Sequence, residues 1–178
     1  MLPPTAEIIT TENIGREAFV ILKYINDNYD SLPDTVIFCP ASWKDNNQKI
    51  YAINVALKYH DKQSFIPQSG KTWGEIYDSV VDCWYGTTPA NIDTVKTQPF
   101  HQSAIRPFGA WYEARIKATT GREWHSVIAH FGIFSVHRAN ILRYSKAQWE
   151  DWLSELAVTG PNTELAHYWE YSWASLLC

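Results

Sequence analysis

Residues 13–39 hold the pattern that most narrows what this chain can become. Ile14, Ala18, Ile21, Leu22, Ile25 and Tyr29 recur every three or four positions, one face of a four-turn helix, and Asn13 stands where an N-cap belongs. Asp30-Ser31-Leu32-Pro33-Asp34 is a turn by composition. Thr35-Val36-Ile37-Phe38-Cys39 is then a nearly all-apolar, β-prone run, of the kind a strand shows when both its faces are covered. With residues 6–9 (Ala-Glu-Ile-Ile) read as a short strand, the order is strand, helix, strand, the βαβ unit that builds a parallel sheet. The expected fold is one α/β domain over residues 1–178, three-layer αβα with a mostly parallel central sheet.

The rest of the chain supplies further elements. Ile50, Ile53, Ala56 and Leu57 predict a helix over 48–59, and Ile76, Val80 and Cys83 predict another over 73–84. From 86 to 107 the chain has Pro89, Pro99 and Pro107 and few apolar runs, so a long irregular excursion is expected. Pro107-Phe108-Gly109-Ala110-Trp111-Tyr112 leads a short helix towards Ile116, and 126–136 reads as one or two strands broken near Gly132. Ser145-Lys146-Ala147-Gln148 is a capping-box pattern ahead of Trp149, Trp152, Leu153 and Leu156. Gly160-Pro161-Asn162 ends that helix, and a last one from about Thr163 stacks Leu165, Tyr168, Trp169, Trp173 and Leu176.

Several function classes are disfavoured. The formal charge is −4 and the 15 Lys and Arg are scattered, which argues against a nucleic-acid partner, since phosphate binding needs clustered bases. Three cysteines without CxxC spacing indicate neither a disulfide framework nor a zinc site. No run reaches the roughly 20 apolar residues of a membrane span, and Met1-Leu2-Pro3-Pro4 does not open a signal peptide, so the chain as given reads as soluble. GxSxG, P-loop, HExxH and GxGxxG motifs are all missing, and no Asp-x-Asp follows Thr35–Cys39. Neither a metal nor a cofactor is expected. The 9 Trp, 10 Tyr and 7 Phe suit a core, and Trp and Tyr also suit surfaces that meet sugar rings or planar bases.

Three groups could carry chemistry. Asn13-Ile14-Gly15-Arg16-Glu17 opens a helix after a strand: free amides there attract anions, glycine permits close approach, and arginine can grip a phosphate or carboxylate. The plain alternative is a cap, a packing glycine and a surface ion pair. His130 and Arg138 bracket an apolar strand, where a histidine is ordinarily a hydrogen-bonded core residue. Glu164, His167 and Glu170 recur every three residues on the last helix beside Tyr171 and Trp173. A carboxylate among aromatics there would have a raised pKa and could take a hydroxyl proton, or could simply be solvated.

These motifs, in this order, resemble the family called domain of unknown function 3431. The match comprises Asn13–Glu17, then Tyr29-Asp30-Ser31-Leu32-Pro33-Asp34 and the strand ending in Phe38, then Pro107–Tyr112, Phe131–Arg138 and the His167–Trp173 helix. A looser likeness to glycosyltransferase-A folds implies metal-independent transfer of a sugar from a nucleotide-sugar donor to a glycan or other hydroxyl acceptor. By that likeness Glu170 would be the catalytic base, Arg16 or Arg138 would steady the leaving diphosphate, and Asn13, Gly15, Glu17, Trp111, His167 and Trp173 would complete the substrate site. Only about a dozen residues precede the first motif, so the fold is expected to lack its first strand. The alternative is a non-catalytic carbohydrate-binding or interaction domain on a degenerate transferase fold. An enzyme of another class would use His130 or His167 as base. Convergence of Arg16, Arg138 and Glu170 on one cleft would favour transfer.

Overall fold

The structure is a computed structural model that describes residues 9–59, 64–65, 71–81 and 99–178. Its longest helices run where the periodicity predicts them, though Leu57, expected on the buried face of the helix over 48–59, is exposed. Helix α1 (Arg16–Asp27) buries Ala18, Phe19, Ile21, Leu22 and Ile25, the face read from the sequence. Helix α2 (Asn47–Lys58) is capped by the Asn46 side chain, which accepts from the Lys49 amide, and buries Ala52, Ile53 and Ala56. A short α3 (Trp73–Tyr77) starts with a capping box between Thr72 and Glu75. Helix α4 (Phe108–Tyr112) runs on through a π-turn (Glu113–Lys117) into a last turn at Ala118–Thr120. After the short α5 (Arg138–Ile141), α6 (Lys146–Ala157) has Ser145 as its cap, and α7 (Glu164–Leu177) has Thr163.

The core is an aromatic assembly. Trp149, Trp152, Trp169, Trp173 and Trp111 are all fully buried. They form a continuous ladder: Trp149–Trp152 at 5.0 Å between ring centroids, Trp152–Trp169 at 5.7 Å, Trp169–Trp173 at 4.9 Å and Trp111–Trp169 at 5.5 Å. Each such ring contributes through both buried area and edge or tilted contacts. The excess of aromatic residues is thus in large part a way of filling the space between α1, α4, α6 and α7.

The sheet overturns the expected fold class. Strands β1 (Thr35–Phe38), β2 (Ser64–Phe65) and β3 (Phe134–His137) form one sheet in the order β1-β3-β2. Both pairings are antiparallel, with Thr35 opposite His137 and Phe38 opposite Phe134. Among the described residues there is no parallel central sheet, and therefore no three-layer αβα, glycosyltransferase-A-like arrangement. The expected first strand at 6–9 lies outside the described residues except for Ile9, which is exposed.

The physical reason is simple. An apolar run reports that a strand is covered, and says nothing of the direction of its neighbour, which here arrives about a hundred residues later. Val36 faces the main core, whereas Ile37 packs on a second cluster of Ala52, Ile53 and Ile133. The predicted strand over 126–136 begins only at Phe134, because residues 130–132 form a 3-10 turn with Phe131 left-handed. Most of the excursion at 86–107, and the end of the helix expected over 73–84, lie outside the described residues.

Gly109 fixes the approach of α4 to α3. A methyl group there would lie 2.1 Å from Cδ2 and 2.3 Å from Cγ of Tyr77, the near end of that ring. Gly109→Ala is therefore expected to cost about 1–3 kcal/mol, the usual range for overpacking, in a denaturant titration. A cost near zero would mean that α3 moves aside freely. No described helix is long and apolar enough to cross a membrane.

Candidate active site

Two left-handed turns face one another at the start of α1. Gly15 has φ 54° and Arg16, the first residue of the helix, also has φ 54°; Phe131 has φ 64° and Gly132 φ 63°. Glycine adopts this region freely, but for the other residues it costs on the order of 1–2 kcal/mol. Among the described residues Arg16 and Phe131 are the non-glycine residues so strained, and strain of this kind collects at functional sites.

Gly15 is needed twice over. Besides its φ, an added Cβ would lie 2.9 Å from Phe19 Cβ and 3.1 Å from Leu156 Cδ2 of α6. Its amide donates to the Gly160 carbonyl at 3.2 Å. A Cβ on Gly160 would in turn press on the His101 ring, 3.2 Å from its Cδ2 and Nε2. The Gly15 N–H expected to meet an anion is thus bound to the loop before α7, and that part of the expectation is corrected. Asn13 is exposed and is not the cap, which is Gly15.

The side chains bring together what the backbone does not offer. Arg16 Nη1 lies 3.4 Å from His167 Nε2. His167 Nδ1 lies 3.7 Å from Glu170 Oε2, one helical turn along α7. Glu170 Oε1 accepts the Phe131 amide, so the strained turn grips the carboxylate. Glu17 Oε2 is 3.7 Å from Arg16 Nε, and a Cβ on Gly132 would be 3.4 Å from Glu17 Cβ.

An arginine only donates, so Nε2 of His167 is the acceptor and the ring proton sits on Nδ1, facing Glu170. Carboxylate, imidazole and guanidinium thus stand in a row, with Arg16 and His167 within hydrogen-bond distance and the Glu170 oxygen 3.7 Å from Nδ1, beyond it. The His167 and Arg16 side chains keep 12% and 26% of their surface exposed. Glu170 accepts the Phe131 amide at Oε1, which leaves Nε2 of His167, beside Arg16, as the basic atom of the row.

The remaining candidates lie elsewhere. Arg138 stands at the far end of β3 from Phe131, where it pairs with Asp34 Oδ1 at 2.8 Å and donates to the Leu32 carbonyl at 3.2 Å. The expected convergence therefore covers Arg16 and Glu170, joined through His167, and does not extend to Arg138. Trp111 is fully buried and donates from its indole to Glu155 at 3.0 Å. Trp173 is buried against Trp169 and Phe134. Both are core residues with no face open to a substrate.

Glu164 is also a structural group. It is wholly buried and accepts from the amides of Val81 and Ser103, from the Tyr168 hydroxyl and from Arg106. The side chain of His130 lies outside the described part of the molecule. Among the described residues no group of three or more His, Cys, Asp and Glu side chains is arranged to hold a metal ion. Phe131 was missed as a site residue; the glycine after it, inside an apolar run, was the available sign of a turn.

No curated protein and no solved structure matches the chain. A family model, described as "Protein of unknown function (DUF3431)", matches residues 3–178. The ordered motifs at Asn13–Glu17, Phe131–Arg138 and His167–Trp173 are thus those of a chain that belongs to the DUF3431 family.

Proposed function

We propose that the chain is a transferase that activates a hydroxyl, with sugar transfer from a nucleotide-sugar donor as the reaction to test first. The carrying observation is the row Glu170–His167–Arg16, gripped by the Phe131 amide. It combines an imidazole that has a carboxylate 3.7 Å from its other nitrogen with a guanidinium beside it, the two functions that such a transfer needs. A hydroxyl entering between Arg16 and His167 replaces their 3.4 Å contact. Its proton passes to Nε2 as its oxygen forms the new bond to the donor carbon. The donor carbon's bond to the diphosphate breaks, the electron pair leaves with the diphosphate, and Arg16 faces the charge that develops there. Glu170 stabilises the imidazolium formed. In this scheme no metal ion takes part.

The test is thermal melting with a panel of nucleotide sugars in the presence of a chelator, followed by detection of released nucleoside diphosphate. A ligand at a hundred times its Kd adds about 2.7 kcal/mol, and in a chain of this size each kcal/mol shifts the Tm by roughly 2–4 °C. Arg16→Ala should abolish the shift. Neither shift nor release with any donor would overturn the sugar-transfer reading.

A further inference from the structure

The row Glu170–His167–Arg16 ends on strained backbone at both sides. Arg16 opens α1 with φ 54°, and Phe131, whose amide binds Glu170, has φ 64°. A left-handed residue other than glycine keeps that conformation only while its surroundings hold it there. For Arg16 one such hold is the contact of Nη1 with His167 Nε2, which ties the first residue of α1 to a residue 151 positions away. That hold depends on one proton. A neutral imidazole accepts at Nε2, whereas an imidazolium donates from both nitrogens and sets a second cation against the guanidinium.

The neighbouring charges decide which partner moves. From α7, Glu170 Oε2 stands 3.7 Å from Nδ1 and favours the charged ring. From α1, Glu17 Oε2 stands 3.7 Å from Arg16 Nε and favours the guanidinium. The 130–132 turn adds the Phe131 amide, which is given to Glu170. The rings of Phe108 and Trp111 in α4 pack on Tyr168 of α7, and α4 has no charged side chain over Phe108–Tyr112. On protonation each cation thus has a carboxylate on its own helix. We propose that His167 is a proton-operated latch on the start of α1, holding Arg16 when neutral and releasing it to Glu17 when charged. The turn at 131–132 stands against the same junction, since a Cβ on Gly132 would lie 3.4 Å from Glu17 Cβ and 3.3 Å from Ile21 Cδ1. Release loosens the first turn of α1, where Phe19 donates its amide to the Gly15 carbonyl at 3.3 Å. The latch does not rest on sugar transfer; a chain without that activity would still carry it.

The experiment is an NMR titration of the full chain from about pH 8 to about pH 5.5, the span in which imidazoles change charge, with the His167 ring and the Arg16 Nε–H observed together. The Arg16 resonance should shift with the midpoint of the His167 ring. Protection of the Phe19 amide against hydrogen exchange should fall about ten-fold across the same span, the loss of one hydrogen bond to a charged group. In His167→Gln, whose amide oxygen accepts at every pH, both responses should vanish. In Glu17→Gln the acid end point of the Arg16 resonance should differ from that of the unsubstituted chain. An Arg16 resonance indifferent to the ring's titration would overturn the proposal, as would constant Phe19 protection or a response of the same size in His167→Gln. An identical acid end point in Glu17→Gln would overturn the transfer to Glu17.

Discussion

Glu164→Ala is expected to lower the stability of the fold by about 4 kcal/mol, within the range for removing one partner of a buried charged pair. The side chain is fully buried at the first turn of α7, where a negative charge also suits the helix N-terminus. Its two oxygens accept the Val81 and Ser103 amides at 2.9 Å each, the Tyr168 hydroxyl at 2.7 Å and the Arg106 guanidinium at 3.0 Å. It therefore ties residues 79–81 and 101–106 to the start of α7. Burial, and then the carboxylate itself, hold the Tyr168 hydroxyl above the ordinary tyrosine range, so it remains a donor at neutral pH.

Alanine leaves two backbone donors and a hydroxyl without acceptors, and each such group costs about 1–3 kcal/mol. Glu164→Gln should be milder but still harmful, since all the neighbours donate and the amide must turn its NH2 towards one of them. Chemical denaturation of the three proteins measures both effects. A loss below about 1 kcal/mol for alanine would show that water enters and replaces the carboxylate.

The second large effect is on turnover. With the transferase reaction in hand, His167→Gln should reduce kcat by about 10²–10⁴-fold, the usual worth of a positioned general base. A denaturant titration of the same variant separates this effect from any loss of stability, since the His167 side chain is only 12% exposed. Glu170→Gln should act through the ring. The amide can still accept from Phe131 but no longer offers a charge to the imidazolium that forms, so kcat should fall. If Glu170→Gln stops the reaction while His167→Gln leaves it intact, the proton goes to the carboxylate directly and the imidazole is a spacer.

The helix faces were legible because they are written locally. Ala18, Ile21, Leu22 and Ile25 repeat at the spacing of a turn, and α1 buries those positions. Leu165, Tyr168, Trp169, Trp173 and Leu176 do the same for α7. The start of α1 was legible only in part, because Asn13 carries the usual signature of a cap and the helix instead begins after a left-handed glycine packed on Leu156. Which charged side chains share a neighbourhood was legible only in part, for a related reason. Arg16 and Arg138 are equal on paper, each beside an apolar element, but Asp34 claims Arg138. Glu164 and Glu170 sit six residues apart on one helix, yet one is a buried strut and the other partly exposed at the site.

What the sequence alone determined, then, is where the principal helices run and which sides they bury, because side-chain periodicity depends only on neighbours within a few residues. The tertiary structure alone decided the direction of the strands and the company that each charged group keeps. Thr35 meets His137, and Arg16 meets a histidine 151 positions away. Hydrogen-bonded pairing and desolvation act through space, and the distance along the chain carries no record of them.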